Sequence, residues 1–417
     1  MSGRASWRAG VLLVASIAWL APAAALAVDV CNAPANSQTT FARLKTFNKE
    51  LPHGILIQDA VNLDDTRYVR LQFLIDAATG AYWNVSQRDS AGRPINSWSE
   101  SSAQNSLWTE RIPAQDPINL YVVGDAKVTL KQVLAMPESA RNAFYSVQDA
   151  NRPKFADVFA GGGEIGFLAD ATGMLVDTSG RAAPCCSGVM VGDGLFLTNW
   201  HCGKAVPSVA DADENALWPA DLCPDLFVDF SWDGDGTSNE HFCQRIVAKS
   251  KALDYVLMKV APGNAGRPVA PTPLPDPQPA GAMVQDGSDL LVIHHPACMK
   301  KQVTRSCAVR TAQFPVWTAA ADDSAAPKTQ FTHACDTASG SSGAPVYWQP
   351  PGGHGLVLAG LHRAGFQRDG AGVCDRVNKA THMQLIIEDT LRKAADAGSG
   401  MDAQDRDLIT ATFGSQP

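Results

Sequence analysis

Three short stretches of this 417-residue chain hold the residue types that nucleophilic catalysis needs. Leu197-Thr198-Asn199-Trp200-His201-Cys202 ends an apolar run in a histidine. Leu253-Asp254-Tyr255-Val256-Leu257-Met258-Lys259-Val260 opens one with an aspartate. Cys335-Asp336-Thr337-Ala338-Ser339-Gly340-Ser341-Ser342-Gly343-Ala344-Pro345 is a Gly/Ser-rich loop entering the apolar Val346-Tyr347-Trp348. A serine hydroxyl is a weak nucleophile until a base accepts its proton, which makes Ser342 the candidate nucleophile and His201 its base. The imidazole in turn needs a buried carboxylate on its far nitrogen to fix its tautomer and stabilise its charge, the role of Asp254. Glycines around the nucleophile let backbone N–H groups turn toward a developing oxyanion, and the amides of Gly340 and Ser342 are the candidates. One histidine after a strand is usually a core or surface residue, so the conjunction of three motifs carries the reading. An α/β-hydrolase order would put the nucleophile first and a glycine where Ala344 stands.

These groups meet only if the chain between them folds into rigid units. From Asp29 to about Met136 short alternating runs are separated by turn residues, with strands expected at Arg67 to Leu74, Gly80 to Val85 and Ile118 to Val123. That pattern predicts an all-β sandwich of about 100 residues. Pro137 to Asn151 carries helix-start and helix-stop signals and reads as a helical spacer, with a domain boundary near residue 150. Strands resume at Ser187 to Val191, Leu195 to Thr198 and Tyr255 to Val260. Prolines then crowd residues 262–286, where no central strand can form because proline lacks the N–H, so this stretch reads as a crossover between two β units. A second strand-rich block runs from Leu290 to about Val377, followed by an amphipathic helix from Thr381 to Ala397.

Composition narrows the setting. A formal net charge of −8 gives no general attraction to nucleic acid or anionic lipid, and 45% hydrophobic against 18% charged residues is a globular balance. Arg4 and Arg8 precede an apolar run from Val11 to Leu20 and then Ala25-Leu26-Ala27, the pattern of a secretory signal cut after Ala27. The mature chain is therefore expected outside the cytoplasm, in the periplasm or beyond the cell, where ten cysteines default to disulfides. His294, His295, Cys298, Cys307, His333 and Cys335 have spacings that could mimic a zinc site, but export favours bridges, and neither metal nor cofactor is expected.

The three motifs resemble those of chymotrypsin-type serine proteases, the source of the general account of this triad. More narrowly, Gly340-Ser341-Ser342-Gly343, His294-His295-Pro296 and the lack of an acidic residue before the nucleophile resemble bacterial lysyl endopeptidase-like secreted proteases. The resemblance covers residues 180–380, and Tyr68 to Phe73 more weakly resembles the removable N-terminal segment of such precursors. It implies an all-β, two-barrel fold with the site in the cleft. The chain then divides into a signal (1–27), a pro- or accessory sandwich (28–150), a protease unit (151–400) and a tail (401–417). Within the protease unit the first barrel would end near 261 and the second begin at 287. The resemblance also implies a monomeric endopeptidase that acts on protein or peptide substrates through an acyl-enzyme, without nucleic acid or stable membrane association. The alternative is an exported, non-catalytic binding protein on the same scaffold.

Details of the family pattern fall both ways. Ser341 stands where animal members hold an aspartate that pairs with a newly cut N-terminus, so that activation switch is not expected. Trp200 beside His201 replaces a usually small residue, a bulk that would narrow one edge of the site. Asp336 stands where trypsin-like members carry a pocket-floor carboxylate, which would direct cleavage after Lys or Arg; a loop-shaping role stays open. His362 resembles the histidine of glutamate-specific bacterial proteases, or is simply a pocket-wall residue. The family also implies a Cys186–Cys202 bridge. Cys335–Cys374 would tie the nucleophile loop to the pocket wall, Cys298–Cys307 and Cys223–Cys243 would close short loops, and elimination leaves Cys31 with Cys185.

Overall fold

The computed structural model describes residues 40–61, 66–78, 81–99, 106–136, 144–145, 155–158, 163–179, 182–204, 212–233, 238–264, 266–275, 283–314, 328–353, 355–368 and 374–414. The signal read at 1–27 and Cys31 lie outside these residues. No described helix is long and apolar enough to cross a membrane.

Eight strands come first: β1 (Thr40–Leu51), β2 (Tyr68–Asp76), β3 (Trp83–Arg88), β4 (Pro94–Ser99), β5 (Ser106–Trp108), β6 (Ile112–Pro113), β7 (Asn119–Gly124) and β8 (Lys127–Met136). They form two sheets, β1-β8-β2-β5 with β6 beside β2, and β4-β3-β7. The sheets share one core in which Leu71, Phe73, Trp83, Val85, Trp98, Leu120, Val122, Val128 and Leu130 interdigitate. Alternation of inward apolar residues is what makes such a sandwich legible in sequence.

Two short strands follow, β9 (Phe144–Tyr145) and β10 (Ala156–Asp157), then α1 (Gly163–Asp170). The expected helical spacer over 137–151 is not what the described part of that stretch forms: Tyr145 and Phe144 pair with Thr337 and Ala338 of the nucleophile loop. An edge backbone with unpaired N–H and C=O groups captures this segment as a strand despite its local helix signals.

The first barrel contains β11 (Thr172–Asp177), β12 (Ala182–Gly192), β13 (Leu195–Thr198), β14 (Leu226–Asp229), β15 (Glu240–Ser250) and β16 (Tyr255–Pro262). Their order is β11-β14-β15-β16-β13-β12, and the β11–β12 pairing closes it. Leu195, Phe196, Leu197, Tyr255, Val256, Leu257 and Met258 are all buried. Both faces of these strands are covered, which is why they read as continuous apolar runs rather than alternations. The chain then crosses between barrels without regular structure over 266–275, where Thr272 donates its amide to Met190 and Leu358 donates to Pro273.

The second barrel contains β17 (Asp289–His294), β18 (Gln302–Phe314), β19 (Gln330–His333), β21 (Pro345–Trp348), β22 (Val357–Arg368) and β23 (Cys374–His382), with the short β20 (Thr337–Ala338) outside it. The order β18-β17-β21-β22-β23-β19 closes through β18–β19, so each barrel has six strands. The terminal helix α2 (Met383–Ala395) returns to the first barrel, burying Met383, Ile386 and Ile387, and Tyr255 donates its hydroxyl to Asp389 at 2.7 Å. Beyond it, residues read as a tail form α3 (Ala403–Ile409) and a further turn, with Ile409 and Phe413 buried and Arg245 paired to Asp405.

The sandwich is not separate from the first barrel. β1 pairs with β12, setting Arg43 opposite Ala182 and Ala42 opposite Ala183, so one sheet runs through both units. Beside that seam lies a buried ionic cluster. Arg70 from the sandwich is ion-paired with Glu240 and, at 3.3 Å, with Asp229 of the barrel, and its guanidinium stacks 3.8 Å from the Phe227 ring centroid. Arg111 pairs with Asp229 at 3.2 Å and donates to the Ser231 carbonyl at 2.9 Å. Burial works to raise both carboxyls. The two guanidiniums overcome it at Asp229, which stays below the usual aspartate range, whereas Glu240 is pushed up to about 7.

Candidate active site

His201 sits in a tight 3-10 turn, Trp200–Cys202, immediately after β13. The turn is pinned from three sides. Thr198 donates its hydroxyl to the Ser187 carbonyl at 2.8 Å, Asn199 donates its side-chain amide to the Asp254 carbonyl at 2.8 Å, and Cys202 is bridged to Cys186. Trp200 does not narrow the site. Its ring is buried in the first barrel, donating to the Glu214 carbonyl at 3.0 Å.

Asp254 precedes β16 with φ 50°, a left-handed conformation uncommon outside glycine but tolerated by aspartate better than by most residues. Here the Asn199 amide holds its carbonyl, and its carboxylate takes three donors. The His201 backbone N–H reaches Oδ1 at 2.9 Å, His201 Nδ1 reaches Oδ2 at 2.8 Å, and Arg363 Nε reaches the same Oδ2 at 3.0 Å. Burial works to raise the Asp254 pKa. The His201 charge and hydrogen bonds, together with Arg363, outweigh it and hold the carboxyl below the ordinary aspartate range. An ionised carboxylate only accepts, so the proton on His201 lies on Nδ1 and Nε2 is left to accept. Ser342 Oγ stands 2.8 Å from that Nε2.

The nucleophile loop owes its shape to two glycines in conformations that side chains avoid. Gly340 has φ +94° and a Cβ there would lie 2.7 Å from the His295 carbonyl oxygen; Gly343 has φ +81° and a Cβ would collide with the Ser187 carbonyl and the Thr198 hydroxyl. Ser187 ties the barrels together behind the loop, donating its hydroxyl to the Gly340 carbonyl at 2.8 Å and its amide to the Ser342 carbonyl at 2.7 Å. Among the described residues, the amides of Gly340 and Ser342 donate to no protein acceptor. Two such donors beside a nucleophile are what an oxyanion requires.

A directed hydrogen-bond chain supports the loop from beneath. The Ala338 amide donates to Ser341 Oγ at 3.1 Å, Ser341 Oγ lies 2.8 Å from His294 Nδ1, His294 Nε2 lies 3.1 Å from Thr304 Oγ1, and Thr304 donates to the Asp336 carbonyl at 3.0 Å. Because Thr304 spends its one proton on Asp336, it must accept from His294 Nε2–H, and Nδ1 then accepts from Ser341. His294 is fully buried, and burial holds its pKa well below the usual histidine range, as this neutral tautomer demands.

The two specificity candidates lie in the same barrel. Asp336 is buried at the start of the loop, and His362 is buried on β22. His362 Nδ1 is 3.2 Å from His333 Nε2, while the Cys335 amide donates to His333 Nδ1 at 3.3 Å, so His333 donates and His362 carries its proton on Nε2. Burial lowers the His362 pKa to about 3.

The cysteine pattern departs from several expected pairings. Cys186–Cys202 and Cys223–Cys243 are formed, but Cys335 pairs with Cys307 rather than Cys374, and Cys298 pairs with Cys185 rather than Cys307. The proposed Cys31–Cys185 tether is thereby replaced. Neighbouring β18 and β19 place Cys307 against Cys335. Adjacent Cys185 and Cys186 lie on β12, where consecutive side chains face opposite ways, so one reaches the first barrel's Cys202 and the other the second barrel. Cys31 and the Cys374 side chain lie outside what is described. Three cysteines of the zinc-like spacing, Cys298, Cys307 and Cys335, are spent in these bridges. Arg363, His294 and Thr304 were missed as site residues, although Arg363 adjoins His362 and His294 belongs to the His-His-Pro run noted in the sequence.

Residues 186–349 match the family model described as a trypsin-like peptidase domain. No curated protein matches the chain. Among solved structures it is similar to the Rv3671c protease of M. tuberculosis. The inactive form of a serine-to-alanine mutant aligns at 11% identity and TM-score 0.38, covering 58% of this chain and 96% of that one. The active form aligns at 13% identity and TM-score 0.35, covering 63% and 89%. Scores this low carry no argument of their own, and the weight rests on the family match and the two closed barrels. The match to a trypsin-like peptidase domain over residues 186–349 thus falls on the two closed six-stranded barrels, and the chain is a serine protease hydrolase.

Proposed function

We propose that this chain is an exported serine endopeptidase that cleaves peptide bonds through an acyl-enzyme, with Ser342, His201 and Asp254 as its triad. The observation that carries the reading is the unbroken contact from Asp254 Oδ2 through His201 to Ser342 Oγ, both links at 2.8 Å. His201 Nε2 takes the Ser342 proton as Oγ attacks the scissile carbonyl, and Asp254 stabilises the imidazolium. The Gly340 and Ser342 amides receive the oxyanion. His201 then protonates the leaving amine, and water repeats the sequence on the ester. The disulfides and the N-terminal signal pattern support export. The continuous β1–β12 sheet and the buried Arg70 and Arg111 pairs favour a sandwich that stays docked in the working enzyme.

Ser342→Ala should lower peptide hydrolysis by about 10⁶-fold and abolish fluorophosphonate labelling, on the precedent of triad knockouts. Undiminished hydrolysis by that variant would overturn the mechanism, and a wild type that takes no label would point instead to a binding protein on this scaffold.

Cleavage after Lys or Arg remains the reading in which Asp336 meets the substrate. A second reading has its own support: His362 Nε2–H, directed by His333 behind it, donates to no described protein acceptor and could receive a substrate carboxylate. A peptide-library digest read by mass spectrometry separates them, since cuts after Lys or Arg favour Asp336 and cuts after Glu favour His362.

A further inference from the structure

Asp254 shares one carboxylate oxygen between two groups from different barrels. His201 Nδ1 approaches Oδ2 from the first barrel and Arg363 Nε from β22 of the second, with both partners of the ion pair buried, at 7% and 3% side-chain exposure. An exposed pair of this kind would be screened and weak, whereas a buried one acts at short range in a poorly solvated setting. A guanidinium is the one side chain that stays charged in such a place.

We propose that Arg363 is a positioning residue of the triad, fixing the Asp254 carboxylate from the second barrel and setting the acid limit of the enzyme's working range. The inference rests on the triad reading. With neutral His201 the Arg363, Asp254 and His201 group is net neutral; protonating His201 makes it cationic. Arg363 thus offsets part of the attraction that Asp254 exerts on an imidazolium. The same hydrogen bond holds the carboxylate in place despite the left-handed backbone of Asp254.

Among the described residues, the titratable groups nearest the pair do not duplicate this role. His362, next to Arg363 on β22, is held neutral by burial. Lys251, in the turn before Asp254, donates to the Ala212 carbonyl at 2.7 Å and stands 5.6 Å from the Trp200 ring centroid; Glu214 accepts from the Lys251 amide. Ser342 carries no charge before the reaction.

The test is the pH profile of kcat/KM for wild type, Arg363→Lys, Arg363→Gln and Arg363→Ser. Removing the charge in the Gln and Ser variants should move the acid limb upward by about two pH units, the scale of one unit charge roughly 6 Å away at an effective dielectric near 20. Arg363→Lys should keep the limb within about 0.3 unit of wild type, since it keeps the charge. The limb is read only from active molecules, so partial misfolding does not displace it, and two neutral variants of different size guard against loss of either. An unmoved limb in the neutral variants, or equal shifts in Lys and Gln, would overturn the proposal. A wild type that neither cleaves peptides nor takes a fluorophosphonate on Ser342 would instead overturn the triad reading beneath it.

Discussion

Replacing Arg70 with methionine in a Ser342→Ala background, which prevents self-digestion, isolates the contact between sandwich and barrel. The side chain is fully buried and faces Asp229 and Glu240, which would lose this guanidinium and keep Arg111 and the Ser231 and Ser238 donors. Removing one member of a buried pair costs about 3–5 kcal/mol, because the partner charge stays buried without compensation. At roughly 2–4 °C per kcal/mol for a unit of this size, the midpoint of thermal unfolding should fall by about 6–20 °C. The loss should also depend on pH. Glu240 has a folded pKa near 7, above its ordinary value of 4.5, so its stabilising contribution is present below the ordinary value and lost as pH rises through 7. Asp229 shifts the other way, and its contribution is lost only as strong acid protonates it. Without Arg70 the ionised Glu240 is worse placed still, so the deficit should be largest at pH 8 and smaller by about 1–2 kcal/mol at pH 5.5, where Glu240 takes a proton. Urea unfolding at the two pH values measures this directly. A deficit under about 1 kcal/mol, or the same deficit at both values, would refute a charged cluster joining the two units.

Other outcomes follow from the loop and its bridges. Ser341→Ala leaves the Ala338 amide and His294 Nδ1 unpaired in a buried place, an effect of about 1–3 kcal/mol on the loop, so kcat should fall by about 10- to 100-fold with KM little changed. Steady-state kinetics showing an unaltered kcat would remove the support role of the chain through His294. Gly343→Ala, which sets a methyl against the Ser187 carbonyl at a positive φ, should abolish active-site labelling. Digestion without reductant should release Cys185 joined to Cys298 and Cys307 joined to Cys335, and recovery of Cys335 joined to Cys374 would contradict the register of β18 and β19.

The sequence by itself determined the all-β class, the first barrel's apolar strands and the order of the three motifs. Each of these is written locally: apolar runs report strands covered on both faces, and a serine between glycines reports a loop that must turn sharply. The Cys186–Cys202 bridge was expected from the family resemblance rather than from the residues alone, and it is formed. At residues 144–145, the described part of the stretch expected as a helix, pairing of Phe144 and Tyr145 with β20 outweighed local propensity. What only the tertiary structure decided depends on which strands become neighbours. Closure of the second barrel set Cys307 against Cys335, opposite faces of β12 sent Cys185 and Cys186 to different barrels, and the joining of sandwich to barrel buried Arg70 among carboxylates far away in the chain. Arg363 reads in sequence as one more strand residue. It became a partner of Asp254 because the two barrels face each other across the site, where a buried charge finds its counterpart by proximity in space and not by spacing along the chain.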